Sequence, residues 1–225
     1  NAPGPRRIVS GARAVGRTVT DSPWLLFSLI GLGWLLFYLL LREAVDPGFT
    51  NYWGYMVFQI VITIAVVLTL SVVFAPEGGL PWYTHLVVTA TTWFDTLGTA
   101  GHMYDRYDVY DKITHFAGGV AITAAAASVF YALMIRGVLS WSLARRLLTA
   151  VAISVAVGGI WEFYEYFGDV LFSTGRHAGR LDTLYDLISD TTGSLVIVIL
   201  IWQLEPLRTA QMRHAAARQN RPLRG

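Results

Sequence analysis

Uncharged apolar runs alternate along the chain with short polar breaks, and six of the runs approach the length of a membrane span. A hydrocarbon core about 30 Å thick needs roughly 20 residues at the ~1.5 Å rise of an α-helix. Trp24 to Leu41 and Trp53 to Phe74 carry no charge, Pro81 to Gly101 carries only Asp95, and Ile113 to Ile135 carries none after its first turn. A fifth run starts after Arg145 and Arg146 and continues past Glu162 and Glu165 to about Phe172. The sixth extends from about Thr183 to Leu204 and contains Asp186 and Asp190. The expected architecture is therefore all-α: a polytopic membrane protein with six transmembrane helices. Pro81 suits a helix N-terminus, where its missing N–H leaves no orphan. The first run is too long for a signal-peptide core and no small-x-small cleavage pattern follows it, so it reads as a first membrane helix.

Charge distribution sets the orientation. Lys112 is the only lysine among 17 basic residues, and 12 of the 17 lie before span one, between spans four and five, or after span six. Basic residues stay on the cytoplasmic side, so both termini are expected there. The acids distribute oppositely: of 15, only Asp21, Glu77 and Glu205 fall on the cytoplasmic side. One integral membrane domain covers residues 1–225, with a cytoplasmic tail at 1–21, two peripheral helices at 22–79, a four-helix unit at 80–205 and a second tail at 206–225. Spans one and two are apolar nearly all round. Spans three to six hold the charged residues at membrane depth, which gives that unit a polar core.

Composition narrows the chemistry. With 54% apolar and 14% charged residues and a mean hydropathy of +0.49, a soluble domain is excluded. The absence of cysteine excludes disulfides, iron–sulfur clusters, thiolate zinc sites and a cysteine nucleophile. Lys112 sits at a span end, so a retinal-type buried Schiff base is not expected. Haem is not expected either, because acids crowd both His102 and His115. No phosphate-cradling glycine loop precedes a helix, and the basic residues are spread by topology, which argues against nucleotide hydrolysis and nucleic-acid binding.

The acids fall on helical stripes. Asp95 and His102 are seven apart on span three; Asp111 and His115 are at i, i+4 on span four; Glu162 and Glu165 are at i, i+3 on span five; Asp182, Asp186 and Asp190 follow at i, i+4, i+8 on span six. A carboxylate at membrane depth costs roughly 2.5 to 3.5 kcal/mol, so five facing lipid would cost on the order of 12 to 17 kcal/mol. They are expected to face one another and share a hydrated cavity, pair with cations, or bind metal. Asp111, His115, Glu162, Glu165, Asp186 and Asp190 form an oxygen-rich ligand set that suits Mg²⁺, Mn²⁺, Fe²⁺ or Zn²⁺, with Asp95 and His102 as additional candidates.

The strings Asp111-Lys112-Ile113-Thr114-His115-Phe116, Trp161-Glu162-Phe163-Tyr164-Glu165, and Arg180 followed by Asp186 to Gly193 resemble the VanZ-like membrane proteins. With the stretch Gly101 to Tyr110 they resemble more closely the YjdF-type bacterial integral membrane proteins. The resemblance covers roughly residues 80–200 and implies a multi-pass protein of the bacterial plasma (inner) membrane. This chain carries Glu165 and Asp190 where VanZ-like proteins usually carry Gln and Asn, so its centre is more acidic.

Two functional classes remain. One is a metal-dependent membrane enzyme that hydrolyses or binds a lipid-linked phosphate or headgroup, with Glu162 and Asp186 catalytic and Arg176, Arg180 and Lys112 holding the substrate. The other is a non-enzymatic membrane protein, either an accessory subunit of a larger complex or a cation- or proton-binding protein, in which the same residues form a structural polar network. Membrane lipids are the expected partners in both, with other membrane subunits or a homo-oligomer as further partners.

Overall fold

A computed structural model describes residues 22–49, 52–77, 79–172 and 179–219. These residues form helices α1 (Pro23–Val45), α2 (Trp53–Val73), α3 (Trp82–Ala100), the single turn α4 (Met103–Arg106), α5 (Asp108–Ile135), α6 (Leu143–Phe172) and α7 (Arg180–Gln219), with a 3₁₀ turn at Ala75–Glu77. No strand occurs among the described residues. Local chemistry sets the first helix start: Ser22 caps α1 by accepting from the Leu25 N–H at 3.2 Å, and Pro23 occupies the first turn.

Five of the helices, α1, α2, α5, α6 and α7, are long and apolar enough to cross a membrane. Large apolar side chains such as Trp34, Phe58, Leu148, Ile160 and Phe163 project outward from them, as a hydrocarbon solvent allows. Helix α3 is long enough at 19 residues but more polar. The reason is its inward face: Thr84, His85, Thr89, Thr92, Thr96 and Thr99 are all buried. Three of the threonine hydroxyls bond within the protein, Thr84 to Ser128 at 2.8 Å, Thr89 to Ser28 at 2.9 Å and Thr92 to the Val88 carbonyl at 2.9 Å. Hydroxyls such as those of Thr84 and Thr89 join helices by hydrogen bonds where water is absent.

The contacts fix the helix directions. Ser28 meets His85 and Gly31 meets Trp93, so α1 and α3 run the same way. Thr84 meets Ser128 while Thr91 meets Ala117, so α5 runs opposite to α3. One apolar core joins α1 to α2 through Leu32, Leu35, Leu39, Met56 and Ile60. A second joins α3, α5, α6 and α7 through Tyr83, Ala124, Ala127, Leu147, Ala150, Ile197 and Ile201. The C-terminal ends of α3 and α6 and the N-terminal ends of α5 and α7 thus meet at one end of the bundle. Helix α7 continues through Pro206 to Gln219, past the end expected near Leu204. Arg146, expected in a connecting loop, lies in α6 and is buried against Glu205 of α7.

Candidate functional site

Glycine brings the site's helices together. A β-carbon on Gly119 of α5 would collide with the Asp190 carbonyl, one on Gly193 of α7 with the Phe116 carbonyl, and one on Gly158 of α6 with the Asp190 carboxylate. The α5–α7 crossing and the approach of α6 are therefore close enough to press Asp190 between three helices. Ser154 and Ser194 both donate to the Gly119 carbonyl at 3.3 Å, tying α6 and α7 to α5 at this level.

His115 stands at the centre. Its Nδ1 is 3.3 Å from Asp190 Oδ2, and its Nε2 is 3.6 Å from Glu162 Oε1 and 3.8 Å from both Asp111 Oδ1 and Asp186 Oδ1. Lys112, three residues before it on α5, donates to Asp111 Oδ2 at 3.0 Å, to Asp186 Oδ1 at 2.6 Å and to Asp182. Glu165 accepts from the Trp161 indole N–H at 3.0 Å, and the Trp161 ring packs against Tyr55 of α2. This chamber of side chains is shielded from the surface: Asp186 is 1% exposed and Glu162 6%. Asp111, Lys112 and Asp182 are partly exposed and form its mouth.

Among the described residues, the carboxylates of Asp111, Asp182 and Asp186 gather on the Lys112 ammonium, and those of Asp111, Glu162, Asp186 and Asp190 lie within 4.0 Å of the His115 imidazole. Glu162 Oε1 is buried and accepts no hydrogen bond. Two sets of three ligand atoms lie within 4.8 Å of one another: Asp111, His115 and Asp186, and His115, Glu162 and Glu165. Hard oxygen donors with one imidazole are the chemistry of a divalent-cation site, and an uncompensated buried carboxylate is where a cation gains most.

All six residues expected as metal ligands come together here, as do the two expected to be catalytic. Of the three residues expected to hold an anion, Lys112 is bound by carboxylates, Arg180 is exposed at the start of α7, and Arg176 lies outside the described residues. Asp95 makes a separate pair, accepting from the Tyr104 hydroxyl. Burial and that carboxylate push the pKa of Tyr104 up, so it remains a donor. His102 is at the surface in a left-handed conformation with φ 54°, 3.2 Å from Asp105. Asp182 falls outside the ligand set expected from sequence, although its i−4 spacing from Asp186 marks it as a member of the same stripe. Trp161 is likewise unexpected as a partner of Glu165; the i, i+4 relation between them is the available signal.

A family model described as a predicted membrane protein (DUF2238) matches residues 28–205 of the chain. No curated protein and no solved structure matches it.

Proposed function

We infer a function from one premise: the chain belongs to the DUF2238 family of predicted membrane proteins. All six long helices cross the bilayer, α3 included, with both termini on the cytoplasmic side of a bacterial plasma membrane and the acidic chamber in the outer half. The alternating helix directions and the concentration of arginine before α1, between α5 and α6 and after Leu204 support that arrangement. The resemblance of residues 80–200 to VanZ-like and YjdF-type proteins supports it as well.

The chamber binds a divalent cation, Mg²⁺, Mn²⁺, Fe²⁺ or Zn²⁺, and uses it on a lipid-linked phosphate or headgroup at the outer leaflet. The observation that carries this reading is Glu162 Oε1, which is buried without a hydrogen-bond donor and faces His115 Nε2 at 3.6 Å. A bound cation supplies a polarised water and a counter-charge for phosphate. Beside such an ion Glu162 would serve as a proton acceptor and Asp186 as an orienting carboxylate, and Arg180, exposed at the start of α7, would hold the phosphate oxygens.

Elemental analysis of the purified protein tests the reading. The wild type should carry about one divalent ion per chain, and Glu162→Gln should lower its affinity at least ~10-fold while the helices stay folded. Divalent-dependent release of phosphate from a lipid-linked phosphate should be lost in Glu162→Gln and Asp186→Asn. A stable preparation that takes up no ion would remove the metal reading. One contact favours a second reading: Lys112 ties three carboxylates of α5 and α7 together, as a network in a non-enzymatic subunit would. In that case Glu162→Gln lowers detergent-phase stability and no metal is found.

A further inference from the structure

His115 presents its two ring nitrogens to different surroundings. Nδ1 is within hydrogen-bond distance, 3.3 Å, of one carboxylate oxygen, Asp190 Oδ2. Nε2 faces three others, Glu162 Oε1 at 3.6 Å and Asp111 Oδ1 and Asp186 Oδ1 both at 3.8 Å, separations longer than a hydrogen bond. Two ligands that each stand about 2.0 to 2.2 Å from one ion lie roughly 3 to 4 Å apart, so the spacing at Nε2 is that of donors around an ion. Glu162 Oε1 is buried there without a hydrogen-bond donor, and Asp111 meets Lys112 through Oδ2, which leaves Oδ1 on the imidazole side. Asp190 is placed differently. The Oδ2 that meets Nδ1 occupies the space a Gly158 β-carbon would fill, and the Asp190 carbonyl is lodged against Gly119, so packing of α5 and α6 fixes this carboxylate.

We propose that Asp190 is a positioning residue of the cation site and not one of its ligands: its carboxylate keeps the His115 proton on Nδ1 and aims the bare Nε2 at an ion held with Glu162, Asp111 and Asp186. This rests on the cation-site reading above and assigns each side of the ring its part. An ionised carboxylate only accepts hydrogen bonds, so a neutral imidazole against Asp190 carries its single proton on Nδ1 and its lone pair on Nε2. The same contact fixes the ring's orientation and makes Nε2 a more basic ligand. Asp190 therefore acts on the ion only through His115, and its effect disappears when the imidazole is absent.

Titration of detergent-solubilised full-length protein with Mn²⁺, read by loss of the free-ion electron paramagnetic resonance signal, tests this through a double-variant cycle. Asp190→Asn and His115→Gln should each weaken Mn²⁺ binding at least ~10-fold, and the double variant should bind within about twofold of His115→Gln alone. A direct ligand would instead add its own loss in the His115→Gln background. Spin-echo modulation from a nitrogen bound to the Mn²⁺ should be present in wild type and lost or altered in Asp190→Asn, which decides the matter if the double variant fails to fold. Wild-type affinity in Asp190→Asn, additive losses in the cycle, or a nitrogen signal absent from wild type or unaltered in Asp190→Asn would overturn the positioning role while leaving a cation site standing. No Mn²⁺ on folded wild type would overturn both.

Discussion

Arg146 and Glu205 show how a single pair of side chains sets a cost at the end of the bundle opposite the chamber. Arg146 is 4% exposed and Glu205 8%, and the guanidinium bonds to the carboxylate between α6 and α7. The guanidinium Nε and Nη1 donate to no acceptor, and the Tyr131 ring lies 6.0 Å from Cζ. Removing one member of a buried ion pair leaves a bare charge, which destabilises by about 3 to 5 kcal/mol. Replacing both by apolar side chains is often neutral. Glu205→Gln should therefore lower the detergent-phase melting temperature well below wild type, and the double variant Arg146→Met with Glu205→Met should recover most of the loss. Equal melting temperatures for Glu205→Gln and wild type would mean that water reaches the pair.

At the level of helices, the decisive contacts are between backbones. Gly119, Gly158 and Gly193 let α5, α6 and α7 close on Asp190, and a β-carbon at any of them overlaps atoms of a neighbouring helix. Gly158→Ala should push the Asp190 carboxylate away from α6 and lengthen its contact with His115. Overpacking of this kind costs typically about 1 to 3 kcal/mol, so a lowered melting temperature together with weaker Mn²⁺ binding is expected. Gly159, where an added β-carbon would meet nothing within 4 Å, is the control: Gly159→Ala should leave both unchanged. Much of this level was legible beforehand. Hydropathy placed the long helices to within a few residues at most ends, because runs of about 20 apolar residues have few alternatives. The i, i+3 and i, i+4 stripes put Asp111, His115, Glu162, Glu165, Asp186 and Asp190 on faces that had to meet. Burial of Arg146 was not legible, since a charge at a span end is ordinarily a loop charge and its partner Glu205 is 59 residues away. Nor was the pairing of His85 with Ser28, 3.1 Å apart, because which face of α3 meets α1 depends on helix rotation. Periodicity does not set that angle where a helix such as α1 is apolar nearly all round.

For the whole molecule, the arrangement separates two kinds of charge along the bundle axis. The chamber collects acids where α5 and α7 begin and α3 and α6 end. The opposite end carries Arg136, with its guanidinium over the Phe74 ring, and Arg145, with its guanidinium over the Trp141 ring. Both arginines place their cations on aromatic faces, as side chains at a membrane–water boundary do. If the arginine-rich end is cytoplasmic, an ion or a headgroup reaches the chamber from outside the cell, past Asp111 and Lys112. Because the chain has no cysteine, single cysteines report the side directly. Asp105→Cys, on the exposed turn α4, should react with a membrane-impermeant maleimide in intact cells. Ser140→Cys, exposed between α5 and α6, should react only after permeabilisation. The reverse labelling would place the chamber on the cytoplasmic side and move the proposed substrate to the inner leaflet. Labelling of both cysteines in intact cells would show that α5 does not cross, and the six-span reading would fall.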